Sequence, residues 1–131
     1  MSLRVHHLAV LVRDLARAEH FYVDVLGCEV ERRWGDDRGA PRSVWVTLGP
    51  HAFLALELCA GEAAAAAPRA PLGPGWHCVA LGIERAEREA WRARLGEHGV
   101  RVERESEFTL YIRDPDGNLL ALSHWPDAVP S

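Results

Sequence analysis

The sequence predicts an α+β fold, two tandem β-α-β-β-β modules whose curved, mostly antiparallel sheets surround a cleft. Three observations predict it. Two apolar strands open alike, "HHLAVLV" at residues 6–12 and "HCVALGI" at 77–83, so His7, Ala9 and Leu11 match His77, Val79 and Leu81 at one offset. Each strand precedes an amphipathic helical stretch closed by a glycine, Gly27 or Gly99, free to take positive φ. After a two-residue slip, Val30 and Glu31 match Val102 and Glu103. Two copies of about 55 residues form a duplicated module, too few and too long for a solenoid.

Residues 4–12 read as a Val- and Leu-rich strand. Asp14 then stands at an N-cap position, able to accept from the free amides of a first turn. Leu15, Ala18, Phe21, Tyr22, Val25 and Leu26 recur at three- and four-residue spacing and form one apolar stripe. Strand candidates follow at Glu29–Trp34, Ser43–Leu48 and Ala52–Leu58. The stretch 60–75, with Pro68, Pro71 and Pro74, reads as a connector. In the second copy, "WHCVALGI" is a strand and Glu87–His98 a helix whose inner stripe includes Ala90, Trp91 and Leu95. "VRVERES" is a strand, and "FTLYIR" and "NLLALSHW" form a hairpin through the turn "DPDG". The organisation is one domain, 1–131, with module one at 3–59 and module two at 76–126.

Composition narrows the function. The formal net charge is −4, which argues against a nucleic-acid partner. All 15 basic residues are Arg, so Schiff-base lysine chemistry is excluded. No apolar run reaches the ~18–20 residues of a membrane span, and no signal-like pattern opens the chain; a soluble, cytoplasmic protein is expected. Cys28, Cys59 and Cys78 show no paired spacing and read as reduced thiols.

Alternate strand residues share a face, so His7, Ala9 and Leu11 point one way, away from Leu8, Val10 and Val12. Internal symmetry gives His77 the equivalent place. Glu57, in the apolar run "HAFLALEL", needs a partner for its charge. Two imidazoles around a metal would be one, and a two-His, one-carboxylate set suits a divalent ion with open positions.

With these motifs the sequence resembles the vicinal oxygen chelate superfamily, which includes glyoxalase I, fosfomycin-resistance transferases, extradiol dioxygenases and metal-free bleomycin-binding proteins. "HHLAVLVRDLARAEHFYVDVLGCEV" and "IRDPDGNLLAL" carry the resemblance. It implies metal ligands at His7, Glu57 and His77, and a fourth at Ala121, where alanine cannot bind a metal. Family alignment and internal repeat both set Ala121 opposite Glu57. His124 and Ser123 are the candidates to replace that ligand. His51 and Tyr111 are the candidates for moving a proton, and Trp45, Thr47 and Thr109 are further pocket candidates.

Two readings follow. One is a glyoxalase-like lyase or isomerase holding Ni, Zn, Mn, Fe or Co and acting on a small oxygen-chelating substrate. The other is a metal-free protein of the bleomycin-resistance type that sequesters a small molecule. The resemblance also implies a homodimer, and whether the chain is an enzyme stays open between the two readings.

Overall fold

The computed structural model describes residues 1–60 and 73–128; the connector read at 60–75 therefore lies largely outside the described residues. The chain divides into two compact units, Met1–Ala65 and Ala66–Ser131. Each holds a four-stranded mixed sheet and one helical segment, in the predicted order.

In the first unit, β1 (His7–Val12) leads through Asp14 into α1 (Leu15–Glu19). Asp14 is the N-cap: its Oδ1 accepts from the Arg17 amide at 3.0 Å, satisfying one of the donors a helix start leaves open. The helix continues as a π-helical turn, His20–Val25, which the spacing of the apolar residues did not foretell. Gly27, at φ 82°, ends it in the left-handed conformation that glycine adopts without a Cβ penalty.

Strands β2 (Val30–Gly35), β3 (Pro41–Leu48) and β4 (Ala52–Leu58) complete the sheet in the order β1-β4-β3-β2, with β1 parallel to β4 and the other pairs antiparallel. The helix lies against β3 and β4. Val44, Val46, Leu54 and Leu56 are buried on that side, with Phe21, Tyr22 and Val25 of the helical segment also in the core. Arg33 shares the side of its register partner Val44 and pairs with Glu19 of the helix.

The second unit repeats the topology with shorter strands: β5 (Val79–Gly82), β6 (Arg104–Glu105), β7 (Thr109–Arg113) and β8 (Leu119–Ser123), ordered β5-β8-β7-β6. Its helix is a 3₁₀ turn, Arg85–Glu87, running into α2 (Arg88–Glu97). A capping box opens it, with Glu87 Oε1 accepting from the Glu84 amide at 3.1 Å. Leu95, Leu110, Ile112, Leu120 and Leu122 form the core. Of the inner stripe expected on α2, Leu95 is buried and Trp91 half-buried, but Ala90 is exposed. Arg88 is buried instead. The "DPDG" turn is closed by Asp114, whose Oδ1 accepts from the amides of Asp116 and Asn118 at 3.0 and 2.8 Å.

Candidate functional site

Each sheet has a second face, opposite its core rows, and the register fixes which side chains occupy it; Ser43, Ala55, Thr109 and Ala121 on it are themselves buried. In the first unit, His7, Ala9 and Leu11 stand beside Phe53, Ala55 and Glu57. Thr47, Trp45 and Ser43 follow on β3, and Trp45 and Ser43 stand beside Arg32 and Trp34 on β2. In the second unit, Ala80 and Gly82 are the exposed residues of β5, beside Ala121 and Ser123, which stand beside Tyr111 and Thr109.

This register moves one expectation. An offset of seventy positions aligns His7, Ala9 and Leu11 with His77, Val79 and Leu81, yet Val79 and Leu81 register with the core residues Leu120 and Leu122. The exposed residues of β1 thus correspond to Ala80 and Gly82, one residue later. His77 itself lies outside β5, two residues before it, and is exposed.

Matching the two free faces pairs the row Ala9–Ala55–Trp45–Arg32 with the row Ala80–Ala121–Tyr111–Arg104. By strand register the internal counterpart of Ala121 is then Ala55. Glu57, in the next row beside Ser43, corresponds to Ser123 beside Thr109.

The free face of the first sheet is aromatic. The rings of His7 and Phe53 stack at 4.8 Å with an interplanar angle of 5°. Trp45 stacks on Phe53 at 4.4 Å, and Trp34 meets Trp45 at 5.3 Å. The Arg32 guanidinium ends the series, 4.1 Å from the Trp34 ring centre. This ladder crosses all four strands, and each contact lies in the range where offset or tilted rings attract. His7 Nδ1 also lies 2.8 Å from His6 Nδ1, in a hydrogen bond that needs one ring to donate and the other to accept.

Polar groups stand within this floor. Trp34 Nε1, Trp45 Nε1 and Ser43 Oγ are buried and have no hydrogen-bond partner among the described residues. Ser43 is 2 % exposed, and Trp34 is its register partner. Glu57, half-buried, faces Ser43 from β4.

A divalent ion needs its donors about 2.0–2.2 Å from one centre. His7 registers with Phe53 and Glu57 with Leu11, so four strand steps, roughly 13 Å, separate their backbones. With the His7 ring stacked on Phe53, the two do not converge. Among the described residues, no group of three or more His, Cys, Asp or Glu side chains is placed to hold a metal ion. His7 and Glu57, the two implied ligands of the first unit, are thus not placed to share an ion in this arrangement.

The other candidates are placed as follows. His51 is exposed in the turn between β3 and β4. Tyr111 is half-buried with the Arg104 guanidinium 4.2 Å over its ring. Ser123 Oγ accepts from Thr109 Oγ1 at 2.9 Å. His124 is buried at 4 % exposure, and its two ring nitrogens are engaged by Arg88 Nη1, at 2.9 Å, and by the Asp127 carbonyl. Since an arginine only donates, His124 Nε2 accepts and Nδ1–H donates. Both ring nitrogens are thus committed to structural contacts. The cysteines are free thiols, and burial pushes the Cys28 thiol above its ordinary value.

Sequence reasoning named Trp45 and missed Trp34, Ser43 and Phe53. The signal available was two-residue alternation, Arg32/Trp34 on one strand and Ser43/Trp45/Thr47 on the next.

No helix among the described residues is long and apolar enough to cross a membrane. The family model of the Glyoxalase/Bleomycin resistance protein/Dioxygenase superfamily matches residues 4–122. Among solved structures, the chain is similar to the trypanothione-dependent glyoxalase I of Leishmania major, at 26 % identity and TM-score 0.70, over 94 % of this chain and 87 % of that one. A glyoxalase family protein from Enterococcus faecalis aligns at 27 % identity and TM-score 0.71, over 92 % and 97 %. A fosfomycin resistance protein from Mesorhizobium loti shares the fold at 17 % identity and TM-score 0.74, over 94 % and 92 %. Among curated proteins, none matches.

Proposed function

Because this chain belongs to the glyoxalase, bleomycin-resistance and dioxygenase superfamily, we propose that it binds a small planar, largely apolar molecule on the free face of its first sheet, without a metal ion. The ring ladder from His7 through Phe53 and Trp45 to Trp34 carries this reading. Phe53 is already stacked on both sides, by His7 and Trp45, so a further flat ring meets the edges of this ladder, and rings held this firmly lose little freedom when it packs there. Fold alone would not single out this function, since relatives on one scaffold differ in chemistry. The alanines at Ala55 and Ala121 support it as well, because neither can supply a metal ligand or move a proton.

The test is a titration of the protein with naphthalene, followed by tryptophan fluorescence and by calorimetry. Saturable binding that Phe53→Ala weakens by about tenfold is expected, the loss of one well-packed aromatic contact. Naphthalene binding absent up to its solubility limit would contradict the reading.

A second reading is supported by the likeness to a glyoxalase I at 26 % identity: a glyoxalase-like lyase or isomerase with His7, Glu57 and His77 around a divalent ion. It would require the His7 ring to leave Phe53. Equilibration with Ni, Zn, Mn and Fe(II) in turn, desalting and counting ions per chain distinguishes the two. About one ion per chain, lost in His7→Ala, supports the metal reading, and no retained ion supports the metal-free one.

A further inference from the structure

The orphaned polar atoms of the first sheet say what kind of flat molecule belongs there. Resting on the binding face proposed above, we infer that the ligand is an uncharged planar aromatic compound bearing a carbonyl oxygen, which accepts hydrogen bonds from the Trp34 and Trp45 indoles and the Ser43 hydroxyl.

Three observations support this. First, Trp34 Nε1, Trp45 Nε1 and Ser43 Oγ are all buried without a partner among the described residues, although buried polar groups are nearly always paired. They are neighbours: Trp34 and Ser43 are register partners, and the two indole rings meet at 5.3 Å. An indole N–H can only donate, so whatever satisfies the two tryptophans must bring acceptor atoms.

Second, the fold can close this position internally and does so once. The counterpart pair in the second unit, Thr109 and Ser123, forms a direct hydrogen bond of 2.9 Å. At the same place in the first unit Ser43 faces Glu57, and its buried hydroxyl has no hydrogen-bond partner among the described residues.

Third, the charges around the patch choose among acceptors. Glu57 stands beside Ser43, and a ligand carboxylate placed there would meet a like charge, whereas a neutral carbonyl would not. Arg32, stacked on Trp34, lies at the opposite edge and adds to the pull on a carbonyl dipole.

The test compares naphthalene with chromone, a bicycle of similar size that carries a carbonyl. Chromone is the less apolar of the two, so burial alone ranks it second. If the indoles and Ser43 donate to it, chromone binds roughly tenfold tighter, as two or three net hydrogen bonds would give. The indole N–H resonances of Trp34 and Trp45, assigned from Trp34→Phe and Trp45→Phe spectra, then move downfield with chromone. In Trp45→Phe, which keeps a ring and loses the donor, the chromone-to-naphthalene affinity ratio falls toward one. Equal binding of the two probes with both indole resonances unmoved overturns the inference and leaves the binding face standing. Absence of binding by either probe overturns both.

Discussion

The two units share a topology and a row of residues, Ala–Ala–aromatic–Arg, yet their free faces are finished differently. In the second unit the polar groups are closed off within the protein. Thr109 bonds Ser123, and Arg104 covers Tyr111. Away from that face, Arg88 of α2, 7 % exposed, donates to His124 and to the carbonyls of Glu107 and Ser106. In the first unit the matching face has a floor of stacked rings and three buried polar atoms without a hydrogen-bond partner among the described residues. A duplicated module thus shows its own control: one copy spends its polar groups on stability and the other leaves them open. A group left unpaired and desolvated is destabilising in the empty protein.

The largest effect should come from the second unit. Arg88→Ala strips two part-buried carbonyls and His124 of their donor and is expected to lower stability by about 3 kcal/mol, read from the urea midpoint at unchanged slope. A loss below about 1 kcal/mol would mean that water replaces the guanidinium.

Next is Thr109→Val, which keeps the shape and removes the donor to Ser123. A loss of about 1 kcal/mol is expected. Its mirror, Ser43→Ala, removes a hydroxyl that bonds nothing, so stability should stay within about 0.5 kcal/mol or rise. If Ser43→Ala destabilised as much as Thr109→Val, the contrast between the two faces would collapse.

The smallest effect is electrostatic. Hydrogen bonding to Arg92, then its charge, holds the Glu105 carboxyl below the ordinary carboxylate range. Stability from this pair is present above the carboxyl's unfolded pKa and is lost as pH falls through the lowered one. Glu105→Gln should therefore cost little at neutral pH and flatten the acid side of the stability profile. Because the pair is exposed, about 0.5 M salt should erase the difference.

Much of this was legible in the sequence. Asp14 capped the first helix as its position required, Gly27 ended it, and "DPDG" made the turn before β8. The element order of both modules could be read because apolar periodicity and turn residues are local signals.

What failed to show was non-local. The match of His7 with His77 rested on identical letters at a constant offset. Face assignment depends on parity, and one residue of shift reverses it. The shift is visible only when β5 is paired with β8, where Ala80, not Val79, meets Ala121. The ring ladder was hidden for a related reason. Phe53 and Trp45 touch because β4 lies between β1 and β3, an order that no run of residues states. Arg88 was assigned no role, since a charged residue on a short amphipathic helix ordinarily faces water. Its burial follows from carbonyl partners at Ser106 and Glu107, eighteen and nineteen residues away.

The most direct test of the account is a map of backbone amide shifts as chromone is added to uniformly labelled protein. The largest changes are expected at Arg32, Trp34, Ser43, Trp45 and Phe53, the aromatic face of the first sheet. Largest changes at Ala80, Tyr111 and Ala121, the closed face of the second, would contradict it.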